Sequence, residues 1–227
     1  MKKFVTGLLS QWRYLWKVLF FLYLPIAFLF TGVGILSRVV DDVSLGFFLR
    51  DIVATGKLPF FAGFVSQIGG LLWSGSLSIC LFALIIMQRR SSDFAGSKRF
   101  FLQGGIVTGT LLFDDIFLFH EEIAPSYLHI GEKVVIAAYL IMGMVFVFSN
   151  WKEILSSEYL ILTLALAMFG ASILMDTLPV DDLLVGYFWE QLELFLEDGF
   201  KFAGIATWLI YFVRHAIQQI ETTQVKI

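Results

Sequence analysis

The chain has 227 residues, of which 58% are apolar, 17% aromatic and only 15% charged, with a net charge of −3. Soluble domains run closer to about 45–50% apolar and 25% charged, so the composition excludes an ordinary water-soluble fold and makes lipid the expected solvent. No basic stripe marks a nucleic-acid partner, and the lone Cys80 allows no intrachain disulfide.

The apolar residues gather into runs near the ~20 residues that cross a hydrocarbon core of ~30 Å. In chain order the predicted spans are 15–36, 60–87, 101–119, 134–149, 159–174 and 194–213. They describe an all-α, polytopic transmembrane helical bundle of about six spans, expected to form a single domain over residues 1–227. Met1-Lys2-Lys3 has the character of a signal-peptide n-region. The run that follows is too long for an h-region and lacks a small-residue cleavage site, so it reads as an uncleaved first span. Between the first two spans, residues 43–54 mix Leu45, Phe47, Phe48, Leu49, Ile52 and Val53 with Arg50 and Asp51, a pattern that predicts a short interfacial helix.

Lys and Arg set orientation. With the N-terminus inside, eleven of the 16 basic residues fall on the cytoplasmic side, from Lys2, Lys3, Arg13 and Lys17 through Arg89, Arg90, Lys98, Arg99 and Lys152 to Arg214 and Lys226. Both termini are therefore expected in the cytoplasm, in a prokaryotic cytoplasmic membrane. The acids run the other way: apart from Asp93, Glu153, Glu158 and Glu221, the 19 Asp and Glu lie toward the outer side. Acids hardly influence topology, so their skew asks for a functional explanation. Gly69, Gly70, Gly75, Gly105 and Gly109 are expected to let helices approach closely. Pro25 is expected to kink the first span.

Two constellations carry chemistry. Asp114-Asp115-x-x-x-x-His120-Glu121-Glu122 closes the third span. On a continuous helix Asp114 and Glu121 would lie within about 20° of each other, with Asp115 and Glu122 on the neighbouring line. The second is Glu190-x-x-Glu193-x-x-x-Glu197-Asp198-x-x-Lys201, whose stripe continues through Gly204, Trp208, Tyr211 and His215 and is expected to face the bundle interior. Lys201 and the Asp114–Asp115 pair come out at similar depths, which predicts one shared site or, in its plainer form, an ion-pair lock between the third and sixth spans. In the single feature of a lysine in the last span beside carboxylates, the chain resembles the retinal-attachment site of microbial rhodopsins; the acids one turn before Lys201 account for it instead, in a bundle of six spans rather than seven.

The expected roles follow from side-chain chemistry. His120, Glu121 and Lys201 are the candidate catalytic groups, His120 because its ordinary pKa near 6.5 suits proton transfer. Asp114, Asp115, Glu193, Glu197 and Asp198 are the candidate ligands of a divalent cation. Oxygen donors suit Mg²⁺, Ca²⁺ or Mn²⁺, and a nitrogen from His120 or His129 would admit Zn²⁺ or iron. Asp176, Asp181, Asp182, Asp41 and Asp42 offer further oxygens, most of them solvated. His129 and His215 read as a surface and an interfacial histidine.

The expected function is a cation-dependent membrane enzyme, a hydrolase or transferase acting on a lipid-borne substrate from the outer face. A cation- or proton-coupled transporter is a second expectation. A non-enzymatic accessory subunit, docked to a membrane partner, is the third. The inner halves of the spans supply little polarity for a route through the membrane.

Overall fold

The computed structural model describes residues 15–16, 19–40, 45–88, 95–177 and 187–224. Nearly all of them are helical and no strand occurs among them, as the hydropathy pattern predicts. Five helices are long and apolar enough to cross a membrane: Phe20–Val39, Phe64–Gln88, Ala95–Phe117, Glu132–Ser149 and Tyr159–Asp176. The chain is a membrane protein. It divides into two compact units, Met1–Ala62 and Gly63–Ile227.

The first unit is built on α1 (Leu24–Val39), entered through a π-helical turn at Leu19–Tyr23. Pro25 stands where the π-helical turn passes into α1, directly after the helical Tyr23 and Leu24. The interfacial helix expected over 43–54 is two pieces, α2 (Leu45–Leu49) and α3 (Ile52–Thr55). The break has a local cause. Asp51 is extended, and its carboxylate accepts the Ala54 N–H at 2.9 Å, an N-cap that starts a new helix rather than continuing the old one.

The second unit holds α4 (Phe64–Gln88), α5 (Ala95–Phe117), α6 (Ala124–Leu128), α7 (Glu132–Ser149), α8 (Trp151–Leu155), α9 (Tyr159–Thr177) and α10 (Tyr187–Gln224). Helix α10, 38 residues long, contains the sixth predicted span. Its acids and Lys201 keep it less apolar than the other five long helices. It lies along α9 and α4, and α4 in turn lies along α5.

Together with α7, which supplies Phe146, these four helices enclose an aromatic core of Trp73, Phe100, Phe101, Phe146, Trp208, Tyr211 and Phe212. Lipid gives helices no hydrophobic reason to associate, so contact area and interhelical hydrogen bonds must do it. Trp73 stacks on Phe169 with ring centroids 5.6 Å apart and planes 8° off parallel. The Trp208 indole N–H donates to the Thr108 hydroxyl at 3.0 Å, tying α10 to α5 inside the core. The predicted stripe on α10 does face inward: Gly204, Trp208, Tyr211 and His215 are all buried.

Close approach occurs at different glycines from those expected. A Cβ on Gly69, Gly70, Gly75, Gly105 or Gly109 would meet neighbours no nearer than 3.4 Å, ordinary contact. On Gly104 it would stand 2.6 Å from the Phe212 ring, and on Gly204 2.7 Å from the Phe169 ring. The glycines that matter admit aromatic rings rather than neighbouring backbones, so a search for paired small residues passes over them. Gly104→Ala and Gly204→Ala should each destabilise the bundle by about 1–3 kcal/mol, the usual range for overpacking. Gly143→Ala, where no atom lies within 4 Å of the new methyl, should be neutral. Melting temperatures of the three variants in one detergent check this ranking.

Candidate functional site

The end of α5 departs from the continuous helix that the sequence suggests. Helix α5 stops at Phe117, Leu118 adopts the left-handed conformation (φ 50°, ψ 47°), and a π-helical turn runs over Phe119–Ile123. The two carboxylate lines drawn through Glu121 and Glu122 therefore do not form, because their register is lost at Leu118. The reversal brings His120 back onto Asp114, six residues earlier. It also leaves Asp115 only two residues, or about 3 Å, from the end of its helix, shallower than the continuous helix implied.

Asp114 is buried and accepts three hydrogen bonds. Its Oδ2 lies 2.6 Å from His120 Nδ1, and its Oδ1 accepts the His120 backbone N–H at 2.9 Å and the Tyr139 hydroxyl of α7 at 2.8 Å. A carboxylate only accepts, so Nδ1 must carry the proton of this pair. The other ring nitrogen, Nε2, is then the free position, 3.5 Å from Glu121 Oε1. This is the relation between an acid–base histidine and the group that orients it. The hydrogen bond to Asp114 raises the His120 pKa above its ordinary value, against the effect of burial. The negative charges of Asp114 and Glu121 add to the rise, and Lys201 opposes it.

Asp115, one residue on, points about 100° away around α5 and pairs with a different partner. Its Oδ1 lies 2.6 Å from Lys201 Nζ of α10, with Asp115 buried to 7% exposure and Lys201 at 39%. The pair lines a cavity of about 70 Å³ between α4, α5 and α10, with Ser66 and Asp198 as its other polar walls and Val65, Phe202 and Ile205 as apolar ones. The charge on Lys201 is thus spent largely on Asp115.

The third and sixth spans therefore meet through Asp115 and Lys201, while Asp114 serves His120 and Tyr139. Glu197 is half-buried and within electrostatic reach of Asp176, Asp198, Lys201 and Glu121. Glu193 is half-buried one turn earlier on α10, and Asp198 is exposed at the cavity rim. The proposed cation ligands are thus dispersed among different partners. Among the described residues no group of three His, Cys, Asp or Glu side chains could hold a metal ion. His129 is exposed and ends α6 in the left-handed conformation, with φ 55°. Asp41, Asp42, Asp181 and Asp182 lie outside the described residues, as does the side chain of Glu190.

Two participants escaped the sequence reading. Tyr139 is a lone hydroxyl in an apolar run, and no spacing links it to Asp114. His215, read as interfacial, is buried at the other end of α10, where it faces Glu153.

A family model described as "Domain of unknown function (DUF8692)" matches residues 15–215. The chain belongs to the DUF8692 family. That match takes in both constellations and all five apolar helices, so the site lies within the family domain rather than in an appendage. No curated protein and no solved structure matches the chain.

With the folded pKa of His120 raised above the unfolded ~6.5, the Asp114–His120 contact contributes stability that is fully present below pH ~6.5 and lost as pH rises through the folded value. In an NMR titration of ¹⁵N-histidine-labelled protein, the His120 ring should titrate above the ordinary histidine range. Asp114→Asn should bring that titration down, and an unchanged midpoint in this variant would contradict the pairing.

Proposed function

We propose that the chain is a membrane-embedded acid–base enzyme, a hydrolase or transferase whose site opens at the membrane surface toward a lipid-borne substrate. The observation that carries this reading is the triple hydrogen bonding of Asp114, which fixes the His120 tautomer and leaves Nε2 free beside Glu121. A histidine held this way accepts a proton from a water or hydroxyl nucleophile at Nε2 and returns it to a leaving group. Tyr139 and Asp114 are positioning residues in this scheme. The bias of Lys and Arg supports an outward-facing site with both termini in the cytoplasm.

In this scheme Lys201 is a holding group rather than the catalytic group that the sequence suggests. An anionic group entering the cavity would have to compete with Asp115 at 2.6 Å and approach Asp198 as well. The pair serves instead to hold α5 and α10 together beside His120, and the cavity favours a neutral or cationic portion of the substrate. Among the described residues the dispersed carboxylates form no ligand group for the expected divalent cation, and the proposal rests on proton transfer by the chain's own residues.

One observation favours a second reading, a proton- or cation-coupled carrier. Around Lys201 and His120 stand Asp114, Asp115, Glu121, Glu197 and Asp198, an acidic excess that draws cations. Against it, the core between this end and His215 is mainly aromatic, a poor route for an ion across the bundle.

The test uses purified protein in mixed micelles with a total membrane-lipid extract, products being followed by untargeted mass spectrometry. Wild type should convert at least one lipid species, and His120→Gln should slow that conversion by about 10²–10⁴-fold, the usual share of general acid–base catalysis. Tyr139→Phe should retain turnover with a shifted pH profile. Identical lipid profiles for wild type, His120→Gln and a protein-free control would overturn the enzyme reading. Potential-driven proton or cation flux in proteoliposomes, lost in Asp115→Asn, would support the carrier instead.

A further inference from the structure

A second polar cluster lies at the opposite end of the same unit, where α5 begins, α8 crosses and α10 ends. His215 is 2% exposed, yet neither ring nitrogen completes a hydrogen bond. Its ring is held by aromatic neighbours, edge-on to Phe100 at 4.7 Å and parallel to Tyr211 within 6°. A buried imidazole left this way is costly, and aromatic packing does not need its nitrogens. Something else must use them.

The charged group facing it is Glu153 of α8, whose Oε1 lies 3.4 Å from His215 Nε2. The same oxygen accepts the Ser97 hydroxyl of α5 at 2.8 Å and the Gln219 amide of α10 at 3.0 Å. Glu153 therefore joins three helices, with His215 one short step from closing on it. Contact with His215 comes first among the influences that hold the Glu153 carboxyl below the usual range; burial works against it, and Ser97 and the Arg99 charge assist.

The other ionisable neighbours are engaged elsewhere. Arg99 of α5 donates to the Ser149 carbonyl, Arg214 of α10 forks onto Glu158, and the Tyr211 hydroxyl pairs with Ser157 at 2.9 Å. A proton arriving at His215 would thus face the Glu153 carboxylate directly across this contact.

We propose that His215 and Glu153 form a proton-operated latch at the end of the bundle opposite His120. With His215 neutral, α10 is held to α8 and α5 at this end by Ser97, Gln219 and aromatic packing. Protonation turns the 3.4 Å contact into an ion pair and tightens all three helices around Glu153. The ion pair is lost again when Glu153 is itself protonated. On the orientation favoured by the Lys and Arg bias, the latch reads cytoplasmic pH. It stands independently of the enzyme reading, since none of its residues touches the His120 site.

Hydrogen–deuterium exchange on the full chain in nanodiscs, corrected for intrinsic rates, tests it locally. Between pH 8 and pH 6, protection of segments 95–101, 150–157 and 212–221 should rise in wild type by up to about tenfold per pH unit, the most that one linked proton allows. His215→Gln and Glu153→Gln should each flatten that dependence, the double variant should add nothing further, and His120→Gln should leave it intact. An undiminished pH dependence in His215→Gln would overturn the latch, as would flat protection in wild type. Should a variant fail to fold, the ¹⁵N-histidine titration of wild type decides: a His215 ring that stays neutral down to pH 5 refutes the proposal.

Discussion

A carboxylate beside hydrocarbon has to be satisfied by the protein itself, because lipid supplies no hydrogen bonds and only distant water. Asp114 meets that constraint with three donors, and the arrangement of the surrounding chain follows from collecting them. One donor is a backbone N–H that can face Asp114 only if the helix ends and the chain turns back. The left-handed Leu118 makes that turn, at an energetic penalty that leucine, unlike glycine, cannot avoid. The second donor fixes the His120 ring, and the third brings α7 against α5 through Tyr139. A demand for electrostatic satisfaction thereby becomes a set of angles between helices.

The neighbouring carboxylate solves the same problem over a longer distance. Asp115 and Lys201 come from helices far apart in sequence and meet because α5 and α10 both pack on α4. Lys201 remains partly exposed, so the pair is screened and its stabilising contribution is less than that of a fully buried one. Between this end and His215, the bundle is filled largely with rings, crossed by the Trp208–Thr108 hydrogen bond. The two polar ends of α5 and α10 are therefore set apart by the aromatic core.

Much of the fold was legible because hydropathy over 20 residues is a strong signal and the helical period is strict. The five apolar spans and the inward stripe Gly204–Trp208–Tyr211–His215 follow from these alone. The pairing of Lys201 with an α5 aspartate was legible too, since an intramembrane charge must find a partner. What the sequence hid was local backbone geometry. Nothing in Phe117-Leu118-Phe119 announces a left-handed turn, as leucine ordinarily avoids it, so the carboxylates were projected along a helix that stops short. Tyr139 and the burial of His215 were hidden for another reason: each depends on which helices become neighbours, and a lone polar residue in an apolar run carries no information about that. The glycines followed the same logic, since the close contacts at Gly104 and Gly204 are with rings supplied by other helices.

The left-handed Leu118 also bears on how the protein is made. Because Asp114 and His120 are only six residues apart, their contact can close within a single segment, on the short timescale of local loop formation, before any neighbouring helix is present. The third apolar helix can thus enter the bilayer with its most awkward charge already neutralised by its own chain. Asp115 pairs instead with Lys201 and must wait for α10, which is synthesised well after α5. Biogenesis then has an inherent order: a self-contained hairpin of charge first, and a lysine delivered late that completes the assembly.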